Sequence, residues 1–569
     1  MTWKTWLAVG GALLTGLGVA LLLALRTPTP PAQQLFINGR VLTMDADNRV
    51  VEALATRGAL IDAVGSTRDI MALAEDDSVV VDLQGRTLMP GFIDAHGHFP
   101  GSGLAVVAAD LNSPPIGDKQ TMADVLGALR EQAGRVAAGE WVVGFGYDDT
   151  LLSEGRHPTR AELDAVSTDH PVVAMHISGH MVVVNSAGLA RAGIDAATPD
   201  PEGGSIGRQP GSREPDGLLA ETARLAVMGE ALDVGVVDAY RMIEAAAREY
   251  AAAGVTTAQS GGAASQMARG LALFSKLGVI PQRLVVFPAQ QEFGAALLDG
   301  SYDPRDYNTE RLQMGAVKIV ADGSIQGYTG YLSQPYHTPY RGEASYRGYP
   351  SVTRQALFEQ IGALHRAGYQ IAVHGNGDAS IEDILDAFEA AQRSHPVADP
   401  RMILIHAQMA REDQVARMAE LGVTPSFFAA HTWYWGDRHR DIFMGPQRAA
   451  VMSPAKWALQ RGVRFSSHMD TPVTPMLPLQ AAWSMVHRRT AGGDVLGPQQ
   501  RISAMQALRA VTIDAAWQVF QDDNRGSLEP GKFADLVVLS GDPLRDPEGM
   551  RELQVERTVI GGVTVYRRQ

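Results

Sequence analysis

The sequence predicts an α/β protein built on a (β/α)8 TIM barrel with a metal site, flanked by a small β-sandwich and preceded by a transmembrane helix. Short apolar segments alternate with Ala- and Leu-rich segments of helical spacing, such as 355–367 and 381–394. β-rich segments with Gly-containing turns stand on both sides of this alternation. An uncharged, mostly apolar run at 6–25 has about the length that crosses a bilayer as a helix.

The apolar run at 6–25 predicts a membrane anchor. Lys4 precedes it, Arg26 closes it and a Pro-rich stretch at 27–32 follows, so we assign 1–33 to anchor and linker. A cleaved signal segment is the alternative. We favour the uncleaved anchor because the run exceeds a usual signal core and Arg26 stands where a small cleavage residue is expected. The flanking charges lean towards an exported catalytic domain on the periplasmic side.

The two β-rich segments predict one sandwich built from both ends of the chain. Alternating apolar and polar residues fill 34–90, with turns at Asn38-Gly39 and Gln84-Gly85, and the pattern returns in 521–569. Between them, 91–520 is interpreted as the barrel. The candidate barrel strands are 91–96, 255–260, 283–289, 316–321, 370–374, 402–406, 424–428 and 464–470. The gap after the first strand is too long for a βα loop and predicts an inserted subdomain at about 100–236.

Composition excludes several classes of function. The formal charge is −14 and no basic domain stands out, which argues against nucleic-acid binding. The chain has no cysteine, which excludes disulfide scaffolds, iron–sulfur clusters and thiol catalysis. Any metal must therefore be held by His, Asp, Glu or Lys.

Metal-ligating residue types stand at the C-terminal ends of five candidate strands, where barrel enzymes carry their active residues. They are His96, His98, Lys318, His374, His406 and Asp470. His96 and His98 are two positions apart on an extended segment, so their side chains face the same way and can share a metal. Imidazole and carboxylate ligands suit zinc, with manganese, iron or nickel as alternatives. The pattern predicts one or two divalent ions per chain.

Several motifs resemble the amidohydrolase superfamily, and more closely its YtcJ-like branch, which includes N-substituted formamide deformylases. They are LFINGRVLTMD, GRTLMPGFIDAHGH, VKIVADGS, HMDTPV and GSLEPGKFADLVVL. The resemblance spans about 35–567. It implies that His96 and His98 are ligands from strand one, Lys318 from strand four, and His374 and His406 from strands five and six.

The resemblance also implies roles for Asp470 and Lys318. The eighth-strand carboxylate, Asp470, would bind metal and take the proton of the attacking water. In binuclear relatives the lysine matching Lys318 is carboxylated and bridges two metals, and an uncarboxylated lysine with one metal stays open as the alternative. The chain departs from the family pattern at Gln259-Ser260, where many relatives carry His-Asp.

Four further residues are predicted to contact substrate. His180 could reach the site from the insertion, and His468 precedes Asp470 where many relatives have serine. His431 and Trp435 stand in the segment HTWYWGDRHR after the seventh strand, which we expect to line the barrel mouth and favour an apolar or ring-bearing substrate. A structural histidine at His180 and a packed aromatic loop at 431–440 are the alternatives.

The function implied is a metal-dependent amidohydrolase that hydrolyses a non-peptide C–N bond of an amide, formamide or cyclic amide. The partner expected is a small-molecule substrate, with no nucleic acid, and a homodimer is left open. A lactone or ester hydrolase and a ring deaminase on the same site are catalytic alternatives. A non-catalytic, membrane-tethered regulatory protein on this scaffold is the third.

Overall fold

Eight short parallel strands form the centre of the computed structural model, which describes residues 28–569. We number them barrel strands 1 to 8 in chain order. They are Phe92–Ile93, Val255–Ala263, Arg283–Pro288, Val317–Val320, Ile371–Gly375, Ile403–His406, Thr424–Phe427 and Ser466–Ser467. Barrel strands 3 to 6 are rich in Val, Ile and Leu, and nearly all residues of the eight strands are buried, as in parallel sheets covered on both faces. The predicted α/β class is confirmed.

The barrel strands pair in chain order. Strands 1 to 3 are parallel in one sheet, which also holds Leu312–Met314, and strands 4 to 8 are parallel in another. A backbone bridge between Ala289 and Lys318 joins the two sheets. The Asp470 amide donates to the His96 carbonyl at 3.1 Å and connects strand 8 to strand 1. All eight C-terminal strand ends therefore face the same side.

Helices cover the outside of the barrel because each has one apolar face. In Asp378–Ser394 the buried positions include Ile381, Ile384, Leu385 and Phe388, which recur at helical spacing. The longer barrel helices are Val236–Ala252, Ser265–Lys276, Gln290–Asp299, Arg354–Arg366, Asp378–Ser394, Glu412–Leu421, His431–Arg438 and Pro478–His487. Shorter ones are Gly445–Ala449, Ala455–Gln460, Ala504–Ala510 and Ile513–Gln518.

The part of the sequence between barrel strand 1 and helix Val236–Ala252 forms a separate layer. Its six-stranded sheet is formed by Gly204–Arg208, Pro215–Glu221, Met181–Val184, Val172–His176, Val142–Tyr147 and Ala109–Asp110, in that spatial order. Its helices are Met122–Ala133, Arg160–Asp164, Ser186–Arg191 and Leu225–Ala231. This inserted layer supplies part of the wall over the strand ends.

Both ends of the described chain contribute to the β-rich part. One sheet holds Leu60–Gly65, Ala53–Arg57, Gln33–Ile37 and Val79–Asp82, and helix Thr67–Met71 follows its Leu60–Gly65 strand. The other holds Val563–Arg567, Val555–Ile560, Leu536–Leu539, Thr87–Pro90, Arg40–Leu42 and Val50–Val51. The buried ion pair between Arg283 Nε and Asp535 Oδ2, at 2.7 Å, ties barrel strand 3 to this part.

The predicted membrane anchor at 6–25 lies outside the described residues. Between residues 28 and 569, no helix is both long enough and apolar enough to cross a membrane.

Candidate metal centre

Three imidazoles converge on one carboxylate at the C-terminal ends of the barrel strands. Asp470 Oδ1 lies 3.2 Å from His98 Nε2 and 3.6 Å from His96 Nε2. His406 Nε2 lies 4.0 Å from the other oxygen, Oδ2. The ligand atoms of His96, His98 and Asp470 all lie within 4.8 Å of one another. Three nitrogen donors and a carboxylate at this spacing fit a divalent ion such as zinc.

The backbone is strained where it presents two of these groups. His406 has φ +69° and Asp470 has φ +55°, in the left-handed region that non-glycine residues rarely adopt. Strain of this kind persists where surrounding structure fixes it, and it clusters at functional sites. Gly261 is required nearby, because a Cβ at that position would lie 2.3 Å from His96 Cε1.

The ring orientation of His96 is fixed by Gln259. Gln259 Oε1 lies 3.0 Å from His96 Nδ1, so Nδ1 carries the proton and donates to the amide oxygen. The lone pair of Nε2 then faces Asp470 and the cavity. Burial lowers the pKa of His96 well below its usual range, so the ring stays neutral, which is the form that binds metal. Gln259 occupies the position where many relatives carry histidine, and its amide acts from behind the ligand.

A hydrogen-bonded chain behind His406 fixes its tautomer. Gln518 Nε2 donates to Thr424 Oγ1 at 2.9 Å, so Gln518 Oε1 is the acceptor that receives the Ser466 hydroxyl proton at 2.7 Å. Ser426 Oγ then donates to Ser466 Oγ at 2.8 Å, and His468 Nδ1 donates to Ser426 Oγ at 2.8 Å. His468 Nε2 is left to accept from His406 Nδ1 at 3.1 Å. His406 Nε2 is thereby free to bind a metal.

His468 is therefore not placed to contact substrate, which corrects the predicted role of this residue. His468 is 2% exposed and does not line the cavity over the metal centre. Both of its ring nitrogens are used in the chain that holds His406, because the side chain points back into the barrel rather than out of it. The sequence motif HMD showed that an additional imidazole is present but not which way it faces.

We expect His468→Phe to weaken metal binding about 10- to 100-fold, the usual cost of losing an outer partner of a metal-binding histidine. The phenyl ring fills the buried space but cannot accept the proton of His406 Nδ1. Metal titration of the stripped protein measures the change. Unaltered metal affinity in a folded variant would show that the hydrogen-bonded chain does not orient His406.

Lys318 and His374 lie beside the four-residue centre. Lys318 Nζ is 3.1 Å from His96 Nε2, and burial lowers the pKa of this lysine to about 7 despite the opposing charge of Asp470. The ring of His374 is 4.5 Å from that of His406. Its Nδ1 lies 3.2 Å from Asp322 Oδ1, and its Nε2 lies 3.3 Å from Asn376 Nδ2. The six predicted metal residues thus meet at one place, with His374 outside the tight cluster.

A cavity of about 700 Å³ opens over the centre and is walled partly by the inserted layer. His180, one of the predicted substrate contacts, lines this cavity, and its ring lies 5.2 Å from the ring of His374. His180 Nδ1 is 2.8 Å from Oε2 of the buried Glu221, which orients the other ring nitrogen. Glu221 has φ +51°. The carboxylate was not predicted from sequence, because Glu221 is 41 residues from its partner and no motif links the two.

His431 and Trp435 do not reach this cavity, which corrects the predicted role of the segment after strand 7. The segment forms helix His431–Arg438, and both side chains are buried, at 4% and 2% exposed. Trp435 Nε1 donates to Asp148 Oδ2 at 2.9 Å, which joins the helix to the inserted layer. His431 Nδ1 lies 3.0 Å from His439 Nε2. The aromatic residues are a packed cluster, so they cannot supply the expected apolar contact with substrate.

We expect Trp435→Ala to destabilise the protein by about 3–5 kcal/mol, because it empties a buried site and removes the indole donor of Asp148 Oδ2. Urea unfolding monitored by fluorescence and circular dichroism measures the loss. KM should stay at the parental value, since Trp435 does not line the cavity. A stable variant with a raised KM would restore the interpretation as a substrate contact.

A second His–Asp cluster lies in the inserted layer. His176 Nδ1 accepts from the Ser178 amide at 3.2 Å, so the proton is on Nε2, which lies 3.1 Å from Asp149 Oδ1. Asp148 is already used by Trp435 and by the Thr150 hydroxyl at 2.7 Å. This cluster is a hydrogen-bonded structural network, because the ring nitrogen nearest the carboxylate carries a proton.

An α/β barrel whose strand ends gather imidazoles around one carboxylate defines a metal-dependent hydrolase. A family model described as the amidohydrolase family matches residues 79–566. The chain is 31% identical over 548 residues to an N-substituted formamide deformylase of Arthrobacter pascens, covering 94% of this chain and 98% of that protein. It is 27% identical over 549 residues to the putative amidohydrolase YtcJ of Bacillus subtilis (strain 168), covering 93% and 98%.

A solved structure shows the same fold. The crystal structure of an uncharacterized metal-dependent hydrolase from Pyrococcus horikoshii OT3 matches with a TM-score of 0.70 at 22% identity, covering 94% of this chain and all of that one. The chain belongs to the amidohydrolase family, so the resemblance found in the sequence is confirmed. It is a metal-dependent hydrolase that acts on carbon–nitrogen bonds.

Proposed function

We propose that the centre formed by His96, His98, His406 and Asp470 holds zinc and hydrolyses a non-peptide C–N bond in a small amide, formamide or cyclic amide. The observation that carries the proposal is the convergence of three Nε2 atoms on one carboxylate, with two of the rings fixed from behind by Gln259 and His468. The likeness to an N-substituted formamide deformylase supports the formamide option.

When bound there, a divalent ion polarises a carbonyl oxygen and lowers the pKa of a water molecule. Asp470 supplies the proton acceptor. Burial alone would raise its pKa, but the hydrogen bond with His98 and the neighbouring imidazoles hold the pKa well below its usual range. The group is therefore a carboxylate at neutral pH, able to take a proton from water and pass it to the leaving amine.

Lys318, if carboxylated, would help to hold a second metal ion. A lysine amine reacts with carbon dioxide only when it is neutral, and a pKa of about 7 leaves much of Lys318 in that form. We propose that Lys318 is carboxylated in the active protein and that His374 then serves the second ion. Intact-mass measurement under non-denaturing conditions, with Lys318→Met as the control, tests for the added carboxyl group.

The proposed activity is tested by assaying the purified, metal-loaded protein against formamides, N-acyl amines, cyclic imides and lactones. Turnover of a formamide, amide or imide, lost on chelation and restored by zinc, is the expected result. Turnover of lactones alone would replace the proposal by an ester hydrolase. Metal binding without turnover of any compound would favour the alternative of a non-catalytic regulatory protein, although such a protein does not need an intact set of metal ligands.

We also propose that the segment at 6–25 anchors the catalytic part to a membrane, on the periplasmic side. Its support is the apolar composition and the charges of Lys4 and Arg26. Deleting 1–27 should release protein into the soluble fraction with unchanged turnover, because the barrel, its insertion and both β segments lie beyond residue 28. A truncated chain that stays with the membrane would contradict the assignment.

A further inference from the structure

Arg224 is a positively charged residue of the cavity wall that has no role in the proposed reaction. It ends the short 3-10 turn Thr222–Arg224, directly after strand Pro215–Glu221 of the inserted layer. Its side chain lines the same 700 Å³ cavity as His96, His98 and Asp470. The inserted layer therefore places a guanidinium in the space that receives the substrate.

Among residues 28–569 this guanidinium has no hydrogen-bonding partner. Its Nε is buried without an acceptor, while the residue as a whole is half-buried. Burial lowers the pKa of Arg224, opposed only by the charge of Glu221. Glu221 forms no ion pair with it: Glu221 Oε2 is 2.8 Å from His180 Nδ1, and Oε1 is buried beside Gly323 without a hydrogen-bond partner.

The buried Nε without an acceptor is destabilising, and a ligand that supplies the acceptor removes that cost. Its planar fork matches a carboxylate through two parallel hydrogen bonds. Doubly charged groups such as phosphate are disfavoured, because Glu202 and Glu292 also line the cavity and would repel them. A single negative charge opposite Arg224 is the better complement.

The other residues of the cavity wall indicate which further chemical group the ligand carries. Leu104, Phe145, Met175 and Val352 line the cavity and offer an apolar surface. We infer that the substrate is an amide that carries one carboxylate and an apolar substituent, of the N-acyl amino acid type, and that Arg224 binds the carboxylate. This inference rests on the proposed function and names the substrate class of that same site.

The test compares two compounds that differ only by the carboxylate, N-formyl-phenylalanine (both enantiomers) and N-formyl-phenethylamine. We expect kcat/KM of the parent to favour one enantiomer of the acid by about 10- to 100-fold, the usual range for a hydrogen bond to a charged group. R224M should lose this preference through a raised KM for the acid, and R224K should restore part of it. Arg241→Met, on the outer helix Val236–Ala252, is the matched control.

Binding provides a second measurement that does not depend on turnover. Calorimetric titration of the metal-loaded Asp470→Asn protein should show tighter binding of the acid than of the neutral compound, and adding R224M should abolish the difference. Equal binding of both compounds, or of neither, would overturn the assignment of Arg224 whatever the enzyme hydrolyses. Tighter binding of the acid without turnover of either compound by the parent would retain the carboxylate site and count against the proposed reaction instead.

Discussion

Replacing His96 and His98 together by alanine is expected to remove at least one metal ion per chain and to bring turnover below detection. Both Nε2 atoms point at Asp470, at 3.6 and 3.2 Å, so the double variant leaves one imidazole and one carboxylate at the tight centre. Two ligands do not hold zinc against dilution, since structural and catalytic sites use at least three. Metal analysis after gel filtration and kcat on the best substrate measure the two losses.

The control for this experiment is a double variant of two exposed histidines, His337→Ala with His395→Ala, which should keep parental metal content and kcat. Circular dichroism checks that the ligand variant is folded. Full activity of a metal-free His96/His98 variant would refute the metal-dependent reaction, and loss of folding would redirect the test to His98→Ala alone. His98 is the better single choice because its side chain is 46% exposed and its removal leaves the core intact.

The barrel and its ligands could be predicted from sequence because both follow from local patterns. Buried parallel strands are short apolar runs, and the strand-end position of His96, Lys318 or His406 follows from the same runs. The strand bounds differ by a few residues, as at strand 8, where 464–470 contains a paired segment of only Ser466–Ser467. The segment ends at Asp470, which adopts a positive φ.

The cavity wall could not be predicted, because it depends on contacts between distant parts of the chain. Trp435 stands in a segment that composition marks as aromatic, but its partner, Asp148, is 287 residues away. Whether such a ring faces substrate or packs against the inserted layer is decided by that contact. The positions of Glu221 and Arg224 in the cavity wall could not be predicted either, because they depend on how the inserted layer lies over the strand ends.

The direction in which each imidazole ring points also could not be predicted from the sequence. Motifs show that a histidine stands at a strand end, but the choice of ring nitrogen depends on the group behind it. For His96 that group is Gln259, from barrel strand 2, and for His406 the chain of donors ends at Gln518. Each of these amides has distinct donor and acceptor atoms, so each determines the tautomer of an imidazole that is distant in sequence.

Asp470→Asn is expected to keep the fold and to lower turnover by about 10² or more, the usual contribution of a positioned general base. The change is nearly isosteric, and asparagine tolerates the left-handed backbone at φ +55° better than most residues do. What is lost is the negative charge: the amide can neither take a proton at neutral pH nor balance the charge of a bound ion. Steady-state kinetics with metal analysis measures both consequences.

Metal concentration separates the two roles of Asp470. If the carboxylate acts only as a ligand, excess zinc should refill the Asp470→Asn centre and return kcat to the parental value. If it also accepts the proton, kcat stays depressed in the fully loaded variant, and the acid limb of the parental pH profile of kcat disappears. Because the pKa of Asp470 is held below its usual range, that limb should fall at low pH. A loaded variant as active as the parent would assign the proton to another group, and His180, oriented by Glu221 within the same cavity, would be the first to examine.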